Sequence, residues 1–141
     1  MMFKKILLPI DLEEAEMTRQ AIEAAIEIAS PDAELRLVSV QTMAPATFVE
    51  YAPPDYEGEV RLVAEKHIAE TAARINCPRE RVSTIVRIGA VYDEALIEAG
   101  EWGADLIVIC SNRPTLATYL LGSNAAKIVR HATCSVLVVR K

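Results

Sequence analysis

Gly122-Ser123, Asp11, Arg113 and Cys110 are the residues of this chain whose types and positions could do chemistry. Gly122-Ser123 opens a short stretch that reads as a helix start. Such a start offers unpaired backbone N–H groups, a hydroxyl and the positive end of the helix dipole, all suited to a phosphate. A serine there is also an ordinary helix cap. Charge points toward an anion. No acidic residue follows Asp105, while Arg113, Lys127, Arg130, Arg140 and Lys141 give residues 106–141 a charge of +5; the overall −5 then leaves −10 for residues 1–105. A cationic segment on an acidic chain suggests a local anion site. Asp11 stands where a first strand ends, and it also has capping-box spacing to Glu14. Cys110 stands beside the end of an apolar run, either as a reactive thiol or as a small residue tolerated next to a ligand.

These residues need elements to hold them. Leu106–Ile109 and Val136–Val139 are unbroken apolar runs, the pattern of parallel strands covered on both faces. The loop from Ile109 to Gly122 then leaves the carboxyl end of a central strand, where open α/β sheets bind ligands. In chain order the expected elements are a strand at Phe3–Ile10, a helix over Glu14–Ala29 ended by Ser30-Pro31, and a strand at Glu34–Gln41. A long irregular stretch, 42–57, follows, with three prolines, a Phe and two tyrosines; it is either a lid or interaction surface, or a tolerated insertion. Next come a helix over Gly58–Asn76, a strand at Val82–Ile88 and a helix over Val91–Trp102 with Gly103 at its C′ position. A strand at Asp105–Ile109, a helix at Ser123–His131 and a strand at Ser135–Arg140 complete the chain. Alternating strands and helices with right-handed crossovers make a parallel sheet with helices on both faces. The last strand is apolar throughout, so its edge needs cover: a second copy of the chain, or a helix of its own. His67 reads as a helix residue without chemistry, and Trp102 as packing beside the Gly103 cap rather than a ligand platform.

Composition bounds the rest. The 141 residues suit one domain, 1–141. Half are apolar and few aromatic, so the core should be Ile, Leu, Val and Ala. No apolar run approaches the roughly 20 residues of a membrane span. MMFKKILLPID halts at Pro9 and Asp11 and reads as a first strand of a cytoplasmic protein rather than a leader. Cys77, Cys110 and Cys134 are odd in number and form no C-x-x-C pair, against a disulfide framework or a structural zinc site. A pI near 5.1 argues against nucleic acid as main partner.

KKILLPIDL, the turn Gly89…Ala95-Leu96, GADLIVIC and LLGSNAAKIVRHATCSVLVVR together resemble the universal stress protein family over essentially the whole chain. The resemblance implies a five-stranded parallel sheet of order 3-2-1-4-5 and Rossmann-like adenine-nucleotide-binding type. It also implies homodimers joined through the last strand (Val136–Val139), with tetramers as a further step. Many members bind ATP through a pattern of Gly, two residues, Gly, nine residues, then Gly with Ser or Thr. Here Gly122-Ser123 is kept, but Cys110 and Arg113 stand where the earlier glycines belong, and only eight residues, Pro114 to Leu121, separate Arg113 from Gly122. The segment resembles an S-x-R-P…L-L-G-S-N variant of short bacterial members, some of which bind ATP. Carried over by position, Asp11 matches the ribose and adenine-side aspartate, and Pro9 and Ile10 the strand end lining the base pocket. Val40 matches the residue whose backbone meets the adenine edge. Ile109 and Cys110 lie under ribose and phosphates, and Gly122, Ser123 and Asn124 hold the phosphates. Ser111 and Arg113 are added as phosphate contacts, since an arginine fork replaces close backbone approach.

Two functions follow. One is an ATP-binding dimeric regulator, with or without Mg2+, that lacks efficient turnover: no Walker motif is present, and hydrolysis or self-phosphorylation at Ser111, Thr115 or Ser123 would be slow. The other is the same fold with a silent nucleotide site, acting as a dimeric interaction module. A receiver domain is excluded, because Ile88-Gly89 ends the third strand without a phosphoacceptor aspartate. A redox flavoprotein is weaker still, because no serine- and threonine-rich phosphate loop follows strand one.

Overall fold

The computed structural model describes residues 3–42, 54–111 and 122–140. Arg113, Thr115 and most of the 42–57 stretch lie outside these. The elements are β1 (Phe3–Ile10), α1 (Ala15–Ile28), β2 (Ala29–Gln41), α2 (Tyr56–Ala73), a 3-10 turn (Arg79–Arg81), β3 (Val82–Ile88), α3 (Val91–Trp102), β4 (Leu106–Ser111), α4 (Ser123–His131) and β5 (Ser135–Arg140). All strand pairings are parallel, in the order β3-β2-β1-β4-β5. The expected α/β class and strand order are therefore those the chain adopts.

Alternation along each strand sorts the core into two layers. Ile6, Leu8, Leu106 and Val108 meet Ala21 and Ala25 of α1, while Leu37 and Val86 meet Ala64 and Ile68 of α2. On the other face Leu7, Val38, Ile107 and Ile109 pack on Ala95 and Ala99 of α3 and on Ala125 and Ile128 of α4. The central strands are apolar on both faces because both are covered. Each fully buried Leu, Ile or Val contributes roughly 1.5–3 kcal/mol. Gly103 closes α3 at φ 82°, its N–H on Ala99 O, a conformation that favours glycine.

Three elements differ from expectation by two or more residues at an end. β2 starts at Ala29, not Glu34: Ala29 pairs with Phe3 and a register shift takes the ladder to Lys5↔Glu34, so Ser30-Pro31 lies in the irregular part of a strand. β4 runs two residues past Ile109, because Cys110 and Ser111 pair with Val139 and Arg140. α2 spans Tyr56–Ala73 and stops short of Asn76, where Arg74 donates its N–H back to Thr71 and Ala72.

Candidate functional site

The β1/β4 ladder is short, and one residue at each end bounds it. Asp105 sets its start: its two carboxylate oxygens accept the N–H groups of Lys4 (2.9 Å) and Lys5 (3.0 Å), and its own N–H donates to Lys5 O. Lys5, Leu7 and Pro9 therefore turn their main-chain groups toward β4. The ladder pairs Ile6 with Leu106 and Leu7 with Ile107, and there it stops. The next N–H due to β4 would be that of Pro9, and proline has none. On the outer sides the ladders run on, to Ile10↔Ser39 and Ser111↔Arg140. The carboxyl ends of β1 and β4 thus part where the strand order reverses, the switch point at which open α/β sheets take ligands.

A cleft of about 770 Å³ opens at that point, within the size range of small-molecule sites. Pro9 and Ile10 from β1, Asp11 just after it, Val40 from β2, Ile109 and Cys110 from β4, and Asn124 from α4 line it. Residues the sequence assigned to one site thus come together from four elements. Ser111, Gly122 and Ser123 stand apart from that wall. Ser111 is buried, and its hydroxyl accepts the Gly122 N–H at 3.3 Å, joining the end of β4 to the start of α4. Arg113 lies outside the described residues.

Local geometry separates the two readings offered for each polar group. Gly122, not Ser123, occupies the N-cap of α4, with φ −63° and ψ 157°, and no side chain caps the helix. The serine is its exposed first residue. The first-turn N–H groups of α4 have no partner within the helix, and Arg130 and His131 complement the dipole at its other end. The capping box at Asp11 does not form. Asp11 Oδ1 instead accepts the Glu13 N–H at 2.9 Å, and its carbonyl accepts Glu14 N–H (3.0 Å) and Thr18 Oγ1 (3.2 Å), so the residue stabilises the turn out of β1 while remaining exposed at the cleft rim. Cys110 sits in β4 proper, half-buried, its Sγ 3.6 Å from Gln20 Oε1.

One wall was not foreseen. Tyr56, Glu59, Val60, Val63 and His67 of α2 also line the cleft. Their spacing of three and four residues puts them on one helix face, which was the available signal, hidden because Lys and Glu neighbours made His67 look solvated. Among the described wall residues Asp11, Glu13 and Glu59 are acidic, and none is Lys or Arg. Among the described residues no group of three or more His, Cys, Asp or Glu converges on a metal position. The arrangement offers apolar walls (Ile10, Val40, Ile109) for a flat ring, a carboxylate for hydroxyl groups, and a helix N-terminus for an anion.

Comparison with known proteins gives the chain a family and a shared fold. The profile described as the universal stress protein family matches residues 2–140. The chain is 34% identical over 142 residues to universal stress protein G of Shigella flexneri, covering 99% of this chain and all of that protein. It is 32% identical to universal stress protein A homolog 2 of Coxiella burnetii, covering 98% and 95%. The fold is shared with universal stress protein UspA from Lactobacillus plantarum (TM-score 0.76, 20% identity, 99% of each chain). It is also shared with a universal stress protein in complex with cAMP (0.64, 19%, 99% and 98%), and with an Arabidopsis thaliana family member with AMP bound (0.61, 17%, 98% and 92%).

Proposed function

This chain belongs to the universal stress protein family, and from that premise we propose that its cleft binds an adenine nucleotide, ATP with or without Mg2+, in a regulatory rather than a rapidly hydrolytic role. The observation that carries the reading is the convergence of Asp11, Val40, Ile109, Cys110 and Asn124 on one cleft at the β1/β4 switch point. Adenine would lie between Ile10, Val40 and Ile109, the ribose hydroxyls toward Asp11, and the phosphates at the start of α4 with Ser111, Gly122, Ser123 and Arg113. Family structures with cAMP and with AMP support the adenine part. When bound, Mg2+ would neutralise phosphate oxygens. A cytoplasmic dimer joined through β5 completes the proposal: Val136–Val139 are half-exposed on the outer strand, and no helix among the described residues is long and apolar enough to cross a membrane.

The test is the nucleotide content of the purified protein, read by ion exchange after denaturation, followed by calorimetric titration of the stripped protein with ATP and magnesium. Co-purified or micromolar-affinity ATP supports the reading. Gly122→Val sharpens it. The backbone angles there suit any residue, so the fold is spared, while a branched side chain at the helix start obstructs the phosphate. Affinity should fall at least tenfold, about 1.4 kcal/mol; an unchanged affinity removes the phosphates from α4. A second reading, a dimeric interaction module with a silent nucleotide site, is favoured by the acidic wall and by a Gly122 N–H already given to Ser111. Absence of both ATP and AMP binding selects it.

A further inference from the structure

The two edge strands of the sheet spend their outer main-chain groups differently. In β3 the N–H that follows the strand, that of Gly89, donates to Gln41 O of β2 at 3.0 Å. Odd-numbered residues there therefore face β2, and Val82, Thr84, Val86 and Ile88 turn their N–H and C=O groups outward, since successive residues alternate. Two of these outward groups are already engaged from within the chain. Val82 N–H donates to Arg79 O of the 3-10 turn. Val86 C=O accepts from Nη1 of Arg61, which reaches over from α2 at 2.8 Å. A guanidinium on a carbonyl is a charge-assisted hydrogen bond, and a strand arriving at this edge would have to displace it. β5 carries no comparable device: among the described residues, no side chain bonds to its main chain, and its apolar residues are half-exposed.

Symmetry makes this asymmetry consequential. Identical strands meeting across a twofold axis use the same patch on both copies. One open edge per chain gives a closed dimer, whereas two open edges give an unlimited row of sheets. We infer that Arg61 seals the β3 edge against a second copy of this chain, confining sheet-to-sheet association to β5. The inference goes beyond the dimer proposed above and stands on different residues. An unsealed edge strand is a template for pairing with another chain.

Sedimentation of Arg61→Met, which keeps an apolar stem and loses every donor, tests it. The variant should form concentration-dependent species larger than those of the unsubstituted protein, and Arg61→Lys, which keeps a cationic donor, should not. In a Leu137→Lys background, where like charges oppose each other across the β5 axis, association lost through β5 should return on adding Arg61→Met. Should Arg61→Met lose its cooperative melt, Arg61→Gln, too short to reach Val86, carries the same comparison. Identical sedimentation with and without Arg61 at all concentrations, in both backgrounds, overturns the inference. A monomeric unsubstituted protein would instead overturn the β5 dimer, and the Arg61 variants should even then associate.

Discussion

The polar cluster under α3 and the cleft between β1 and β4 both gather charged and polar side chains at the sheet, and they use them in opposite ways. Under α3, Glu98 is only 3% exposed and bridges Arg36 and Arg87, each at 2.8 Å. Arg87 also pairs with Glu94 (2.7 Å) and Glu101 (3.4 Å), and Arg36 donates to Ser83 Oγ while stacking on Trp102. Lys5 covers Trp102 as well, with its centroid 5.2 Å away, and donates to the Trp102 carbonyl. Hydrogen bonding to Glu94, above all, holds the Arg87 proton even more firmly than usual. Every charge in the cluster is answered from inside the chain. At the cleft the answer is incomplete: the start of α4 has no side-chain cap, and Asp11 stays exposed after serving Glu13. A saturated cluster is a fastener, whereas polar groups facing an open volume of this size suit a ligand.

Removing one member from each region separates the two roles. Glu98→Ala leaves two guanidiniums over the sheet without their shared carboxylate. Breaking a buried pair costs about 3–5 kcal/mol, and the lower end applies because Arg36 and Arg87 are partly exposed and keep other partners. Urea unfolding should show a loss of about 3 kcal/mol, while nucleotide affinity of the folded protein stays within twofold. A large affinity loss with stability intact would erase the contrast. Arg113→Ala should behave the other way. If its fork meets phosphate, binding should weaken by about 1.5–3 kcal/mol, as for a hydrogen bond to a charged group, with the unfolding midpoint of the free protein unmoved. An unaltered dissociation constant would return Arg113 to solvent.

The sequence carried one of these regions better than the other. β3, α3, α4 and β5 lie at the boundaries their periodicity and end signals suggested, with Gly89, Gly103 and Gly122 as local stops at the end of β3, the end of α3 and the start of α4. The strand ends that moved, Ala29 and Ser111, depend on partners in other strands, Phe3 and Arg140, which no local signal reveals. The cleft was legible because its residues sit at strand ends and at one helix start. The cluster under α3 was not. Arg36, Arg87 and Glu98 share no motif and meet only through the β2/β3 register that sets Arg36 against Ser83 and through the packing of α3. Trp102 was read as packing, and packing it is, with the added cations that only the fold could supply.

Pro9 gives the comparison its finest test, because its missing N–H falls where the β1/β4 ladder ends, beside the cleft and not beside the fastener. Pro9↔Val38 pairing holds β1 to β2, so Pro9→Ala changes nothing on that side. It restores an N–H on the side facing β4, one step beyond the last paired residues, Leu7 and Ile107. If the missing donor is what ends the ladder, the new amide at position 9 should find a β4 carbonyl and be protected from hydrogen exchange. The gain, on the order of 0.5–1.5 kcal/mol for a net hydrogen bond, is offset by the greater freedom of the unfolded chain, roughly 0.4–1 kcal/mol. Stability should therefore barely move. Affinity should fall, by less than tenfold, as the strand ends draw together beneath the ligand. A fast-exchanging amide at position 9 with unchanged affinity would mean that the strands are held apart by what packs between them, and the opening would then belong to the side chains of Ile10, Ile109 and Cys110 rather than to the backbone.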